Sequence, residues 1–219
     1  MNDELRFLRQ QDVLDVKRVT SLGVTLIGLG SIGSITGLYL GKMGFVGLQA
    51  FDGDSVEAHN WSNQMYSDDD IGSPKANAFI RLMEAYGGHT PNATVARYVD
   101  QPLTEVVISA VDSMESRKVI WKSVREKPEV KLYLDCRMGL QTLIAWCVKP
   151  QIWEDRIAYS QSIVPDDQTH QDPCTARTVC YTPLMAASIV CSHVKRYING
   201  ESIPRRVILD LATHTLITE

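Results

Sequence analysis

The apolar positions of this chain fall into short unbroken runs, separated by stretches in which apolar residues recur every three or four places. VTLIGLG, from Val24, runs straight into glycines without polar alternation, which predicts a strand buried on both faces of a parallel sheet. The next stretch, from Ser31, reads as a helix with Gly33, Gly37 and Gly41 at every fourth position, so one small-residue face is expected to lie close on the sheet before Gly44 ends it. VGLQAFD, from Val46, is a second buried strand. Strand, glycine turn, helix and strand thus form a complete parallel crossover unit.

The same reading continues. SPKANAFIRLMEAYGG predicts a helix with Ser73 as N-cap, Pro74 in the first position and Gly87 beyond the end. TVARYV from Thr94 and EVVISAVD from Glu105 predict strands, the second ending at Asp112, and a helix follows from Glu115 to Glu126. KLYLDCRM and QTLIAWCV are strands separated by Gly139 and Leu140, joined either as a hairpin or by a crossing to a new edge. There the alternation of helix and strand stops. Residues 160–175 are polar and aperiodic and predict a long exposed loop. PLMAASIVCSHVKRYI predicts a packed helix opened by Thr182 and Pro183 and closed by Asn199 and Gly200, and RVILDLATHTLITE a strand pair or bent strand. Leu5, Leu8, Val13, Leu14 and Val16 mark residues 1–20 as an amphipathic helical arm. The expected class is α/β: one domain over residues 1–219, a Rossmann-like mainly parallel sheet with helices on both faces and a C-terminal antiparallel extension.

Composition narrows this by exclusion. Of the 219 residues 44% are apolar and 22% charged, which sets disorder aside, and a formal charge of −4 argues against bulk nucleic-acid binding. No run is long enough to span a bilayer, and MNDELRFLRQ lacks the apolar core of a secretory signal, so a cytoplasmic protein is expected. The five cysteines, at 136, 147, 174, 180 and 191, are odd in number and not closely paired, which fits reduced thiols. Without a Cys-x-x-Cys pair, no structural zinc is expected.

Glycines 28, 30 and 33 let the backbone approach a polyphosphate at a helix N-terminus, and Asp52, about twenty residues past the turn, is placed to accept from ribose hydroxyls. A nicotinamide or flavin dinucleotide fits that much equally well. The acidic run FDGDSVEAHNWSNQ then supplies Asp54, Glu57, Asn60 and Gln64, after which come Lys75 and Asp112. Lys75, in the first turn of its helix, opposes the helix dipole, so an anion is expected beside it. A hydride-transfer site leaves Lys75, Asn60 and Asp112 without work. Carboxyl adenylation uses a carboxylate for a metal and cations for the departing pyrophosphate, and Asp112 at the carboxyl end of a strand suits the metal. Asp54 and Glu57 have a plainer reading as shapers of their loop. His170, Asp172 and Cys174 are close enough for a metal but lack a second ligand pair, and are read as loop residues.

GLGSIGS, D-x-D-x-V-E-x-x-N-x-x-x-Q, the G-S-P-K helix start and SAVDSMESR together resemble the ThiF/MoeB/HesA family, relatives of the ubiquitin-activating enzymes. RFLRQ, Arg6 to Gln10, resembles the family's leading R-x-x-R-Q, and CTARTVCYTPLMAASIV its late cysteine and packed helix. The resemblance implies an ATP- and Mg2+-dependent adenylyltransferase acting on the C-terminal glycine carboxylate of a small ubiquitin-like or sulfur-carrier protein. It assigns Asp52 to ribose, Asn60, Gln64 and Lys75 to the phosphates or their metal, and Asp112 to magnesium. It assigns Arg9 to a partner subunit's site, which implies a homodimer, and Cys174 to acceptance of the activated acyl group, although an ordinary loop thiol fits Cys174 as well. Cys136, Cys147, Cys180 and Cys191 are read as core. Three features depart from the family pattern: Asn63 replaces an arginine that helps hold the triphosphate, Thr178 replaces a glycine, and the Cys-x-x-Cys pairs that bind structural zinc in many members are missing. Asn63 keeps open a second reading, a weakened scaffold that binds a ubiquitin-like protein without activating it.

Overall fold

The computed structural model describes residues 3–164 and 178–219. Its order is α1 (Asp3–Arg6), α2 (Val16–Ser21), β1 (Val24–Ile27), α3 (Ser31–Met43), β2 (Leu48–Asp52), α4 (Lys75–Leu82), β3 (Asn92–Val95), β4 (Val106–Ser109) and α5 (Met114–Glu126). There follow β5 (Leu132–Gly139), β6 (Thr142–Val148), α6 (Trp153–Gln161), α7 (Tyr181–Ile198), β7 (Arg206–Asp210) and β8 (Thr215–Thr218). One eight-stranded sheet runs β3-β2-β1-β4-β5-β6-β7-β8. The first five strands in that order are parallel and the last three antiparallel, as the pattern predicts.

The core has two layers because alternate strand residues point to opposite faces. Val24, Leu26, Val106, Ile108, Leu132 and Leu134 face a cluster with α3, α4 and α7, including Leu38, Phe79 and Val190. Ile27, Val107 and Tyr133 face the other side, where Trp121 of α5, Trp146 and Tyr159 of α6 close over them. Among the described residues no helix is long and apolar enough to cross a membrane.

Several boundaries differ from the predicted ones. The leading segment is not one helical arm but α1, a 3₁₀ turn at Leu8–Gln10 and α2; Leu5, Leu8 and Val13 are exposed and Leu14 is buried. The segment is tied down where α3 and α7 end: the Gln10 side chain donates to the Lys42 carbonyl (2.9 Å) and Asn199 donates to the Val13 carbonyl (2.8 Å). β4 stops at Ser109, not Asp112, because Ser113 accepts from the Ser116 amide and caps α5. β5 and β6 form a tight hairpin that turns at Leu140 and Gln141, with Leu140 at φ 52° and Gly139 paired with Thr142 at the strand end. α6 was not anticipated; it takes Ser160 and Gln161 from the predicted loop and covers the aromatic side of the antiparallel strands.

The α4 cap also differs. Pro74 is the N-cap and Lys75 the first helical residue, because Ser55 and Pro74 form an isolated antiparallel bridge and the Val56 amide donates to the Ser73 carbonyl at 2.8 Å. The helix continues as a π turn at Met83–Gly87 and ends at Gly88, φ +85°. Gly87 is inside it. That turn also corrects the role of the α3 glycines. A Cβ at Gly37 would lie 2.4 Å from Phe79 Cζ, and one at Gly41 2.6 Å from Met83 Cε, so the small-residue face receives α4 and its π turn more than the sheet.

Two outcomes follow from this packing. Gly37→Ala must displace the wholly buried Phe79 ring, and overpacking of that kind costs about 1–3 kcal/mol; urea denaturation should show the loss, with part regained in Gly37→Ala/Phe79→Leu. His193, buried on α7 beside Arg196, is pushed down to about 4, chiefly by burial. The unfolded imidazole takes its proton near 6.5, so stability present above that pH is lost as pH falls towards 4. Denaturation midpoints at pH 7 and pH 5 should therefore drop more in the wild type than in His193→Gln.

Candidate functional site

The glycine turn is built by close approach. Gly28 has φ +93°, and a Cβ there would sit 2.5 Å from the Ala110 carbonyl oxygen; one at Gly33 would sit 1.9 Å from the Gly28 oxygen. Gly30, the N-cap of α3, supplies no side chain to the helix and has open space where a Cβ would be. The first-turn amides of α3 therefore have no side-chain cap, a donor arrangement suited to an anion.

Asp52, at the end of β2, is buried and accepts from the Leu29 amide at 2.7 Å with one oxygen and from the Asp54 amide at 2.8 Å with the other. Burial pushes its carboxyl above the usual range, opposed by those two amides and by Lys75. Leu29 is gripped on its other side as well: the Tyr66 hydroxyl donates to its carbonyl at 2.7 Å. The Met65 amide donates to Ser34 Oγ (3.2 Å), and Asp70 accepts from Arg81 at 2.9 Å and from Ser67. The acidic loop is thus laced over the start of α3. Tyr66 and Ser34 were not picked out by sequence; Tyr66 had one signal, a large ring alone in a polar run.

Between these anchors lies a 3₁₀ turn, Ala58–Asn63, which carries Asn60, with Gln64 at its end. Asn63 Nδ2 donates to the Thr178 carbonyl at 3.1 Å, so the two residues that depart from the family pattern touch each other. The Asn63 Oδ1 and Gln64 Oε1 atoms are buried and have no hydrogen-bond partner among the described residues.

Lys75 meets the anion its helix position called for. Its Nζ lies 3.3 Å from Asp54 Oδ2, and its amide donates to the Asp54 carbonyl at 2.8 Å. Arg97 reaches Asp54 from solvent at 3.6 Å. Asp54 therefore serves as ion partner as well as loop residue.

Asp112 is exposed on the short segment between β4 and α5, two residues past the Ala110 backbone against which Gly28 packs. The structure so gathers the glycine turn, Asp52, Lys75 and the Asp112 segment at the carboxyl edge of β1, β2 and β4, where the order reverses between β1 and β4. Arg9 is elsewhere. It is exposed on the turn whose Gln10 bonds the C-terminal end of α3, and α3 separates that end from the glycine turn by about 20 Å.

Cys174 lies outside the described residues, as do His170 and Asp172. Cys136, Cys147 and Cys191 are core thiols, each pushed up to about 12 by burial. Cys180 is not: it is exposed, at the N-cap of α7, because the packed face of that helix begins only at Thr182. A separate surface groove of about 470 Å³, lined by Gln10, Tyr39, Lys42, Cys191 and Lys195 among others, contains none of the site residues.

A buried ionic group that no sequence motif marks lies next to the Asp112 segment. Asp135, fully buried in β5 where the pairing with β4 ends, sits between Arg117 of α5 (3.1 Å) and Arg137 (2.7 Å). Burial alone would raise its pKa, but the two guanidiniums hold it below the usual carboxylate range. The available signal was a carboxylate and an arginine two residues apart in an otherwise apolar strand.

Tyr66→Phe should keep the fold but lose about 1 kcal/mol, since it deletes one buried hydrogen bond and leaves the Leu29 carbonyl unpaired. Chemical denaturation gives the loss, and faster amide exchange at Leu29 would show that the glycine turn is what loosens.

Comparison with known proteins agrees with this architecture. Ubiquitin-like modifier-activating enzyme 5 of Drosophila grimshawi is 28% identical over 138 residues, 54% of this chain and 35% of that protein. The Drosophila simulans protein of the same name is 29% identical over 139 residues, 54% and 34% respectively. The chain spans about a third of the length of these curated relatives. Crystal structures of PaaA (TM-score 0.77, 18% identity, 99% of this chain and 73% of that one) and of E. coli MccB with ATP (TM-score 0.77, 16% identity, 98% and 70%) share the fold. The ThiF family model matches residues 3–217, very nearly the whole chain, and this protein belongs to the ThiF family.

Proposed function

We propose that this protein adenylylates the C-terminal carboxylate of a small ubiquitin-like or sulfur-carrier protein, or of a peptide, using ATP and Mg2+. The observation that carries the reading is the meeting of an uncapped α3 N-terminus, a buried lysine and an exposed carboxylate on one sheet edge. The fold shared with MccB, whose structures include complexes with ATP and with the peptide MccA, supports it. So does the similarity to ubiquitin-like modifier-activating enzymes.

In this reading the α3 amides and Lys75 hold the polyphosphate, Asn60 and Gln64 approach the phosphates or their metal, and Asp52 accepts from the ribose while it holds Leu29. The amide oxygen of Gln64, buried and without a partner among the described residues, fits a site that takes a further donor or a cation. Bound at Asp112, Mg2+ would neutralise charge on the polyphosphate. The substrate carboxylate attacks the α-phosphorus, the acyl adenylate forms and pyrophosphate leaves. Lys75 takes up the growing charge, because its own pairing with Asp54 at 3.3 Å is loose enough to be shared. Arg9 lies too far from its own glycine turn to act there, which supports a homodimer in which it serves the second copy's site. Transfer of the acyl group to Cys174 belongs to the same proposal.

A second reading has a specific observation in its favour. Asn63 spends its amide on the Thr178 carbonyl and brings no positive charge to the triphosphate, as a scaffold with weakened turnover would. Exchange of labelled pyrophosphate into ATP separates the two. With the carrier protein present, exchange should occur and should fall on the order of a hundredfold in Asp112→Ala. ATP and carrier binding without exchange would establish the scaffold.

A further inference from the structure

The ionic group in the middle of β5 is in contact with the backbone that carries Asp112. Arg117 is 4% exposed; its Nε donates to Asp135 Oδ1 at 3.1 Å and its Nη2 donates to the carbonyl of Val111, the residue before Asp112. The other Asp135 oxygen accepts from Arg137 Nε at 2.7 Å. Arg137 is itself fixed by the Ser162 carbonyl (2.9 Å) and hydroxyl (3.0 Å) at the end of α6, and its guanidinium lies 5.6 Å from the Tyr159 ring centre. Asp135 pairs with Ser109 across β4 and β5, so the group stands level with the point where β4 gives way to the Asp112 segment.

Stability alone is a poor account of this group. Two cations share one carboxylate, and buried ion pairs are commonly no more stabilising than apolar residues of the same volume. A planar guanidinium does offer what an apolar residue does not, two acceptors held at a fixed angle. One of those acceptors is a carboxylate in the middle of β5 and the other is the peptide group next to Asp112. Beyond the Ala110 amide, which still bonds the Ile27 carbonyl at 2.8 Å, that segment has left the sheet ladder.

We propose that Arg117, Asp135 and Arg137 form a positioning relay that fixes the Val111 peptide group and so sets the Asp112 carboxylate for a divalent cation. The relay rests on the reading of Asp112 as the metal-holding residue. None of its members touches substrate; each acts through Asp112.

The test titrates Mn2+ into protein with saturating ATP, followed by water-proton relaxation, beside ATP affinity measured in EDTA and the thermal midpoint. Arg117→Met should weaken Mn2+ binding by about 10- to 100-fold, the range seen when partners that orient a metal's ligands are removed. ATP affinity in EDTA should not change. Arg117→Lys, which keeps the charge but not the fork, should recover only part. Should Arg117→Met fail to fold, Arg137→Lys gives the same readout from the far end of the relay. A folded variant with unchanged Mn2+ binding, or with Mn2+ and metal-free ATP affinities falling together, overturns the relay. Because the readout is binding, a wild type that shows the Mn2+ response but no pyrophosphate exchange removes the adenylation reading and leaves the relay standing. A wild type that takes up no Mn2+ beside ATP overturns both the relay and the metal reading of Asp112.

Discussion

One residue is held from both sides, and the site depends on it. The Leu29 amide is bonded by Asp52 and the Leu29 carbonyl by Tyr66, so the glycine turn after β1 is clamped between the end of β2 and the acidic loop. A buried carboxylate is tolerated only where hydrogen bonds and charge replace water, and Asp52 finds these in the Leu29 and Asp54 amides and in Lys75. Loosening any of the three would free the turn that presents the α3 amides. The fold places its least replaceable contact under the surface where a phosphate would lie.

From that clamp outward, the charged groups hold segments of backbone in place. Lys75 and Asp54 tie the start of α4 to the acidic loop, Asp70 and Arg81 tie the loop's far end to the same helix, and Arg117 ties the Asp112 segment to β5. Each pair lies near the carboxyl edge of the sheet, where connections leave for opposite faces and the backbone has no ladder to rely on. Elsewhere packing does the same work: the glycines of α3 admit Phe79 and Met83, and Trp121, Trp146 and Tyr159 close the opposite face. Leu22, Val24 and Leu48 belong to the buried floor beneath the first of these.

Much of the fold was legible because its signals are local. Unbroken apolar runs mark parallel strands, and the period of two inside KLYLDCRM separates Leu132 and Leu134 from Tyr133 onto the two faces seen in the core. α6 was not legible, since WEDRIAYSQ lacks a continuous apolar stripe and is held chiefly through Tyr159 in the aromatic cluster. The N-cap of α4 was misplaced for a related reason: Ser73 is a good cap by type, but its carbonyl is already engaged by Val56 in a pairing across seventeen residues of chain. Cys180 read as core because it adjoins a packed helix, whereas one residue of register leaves it outside.

The amino-acid sequence by itself determined the crossover unit, the glycine turn, the parallel-then-antiparallel order and the residue types offered to a ligand, because each depends on neighbours within one or two turns of chain. Tertiary structure alone decided which of those residues meet. It joined Lys75 to Asp54, Asn63 to Thr178 and Arg117 to both Asp135 and the Val111 peptide, and it left Arg9 at the opposite end of α3. Contacts between residues up to 186 positions apart, as between Val13 and Asn199, follow from how helices pack across a finished sheet, and no local period records that.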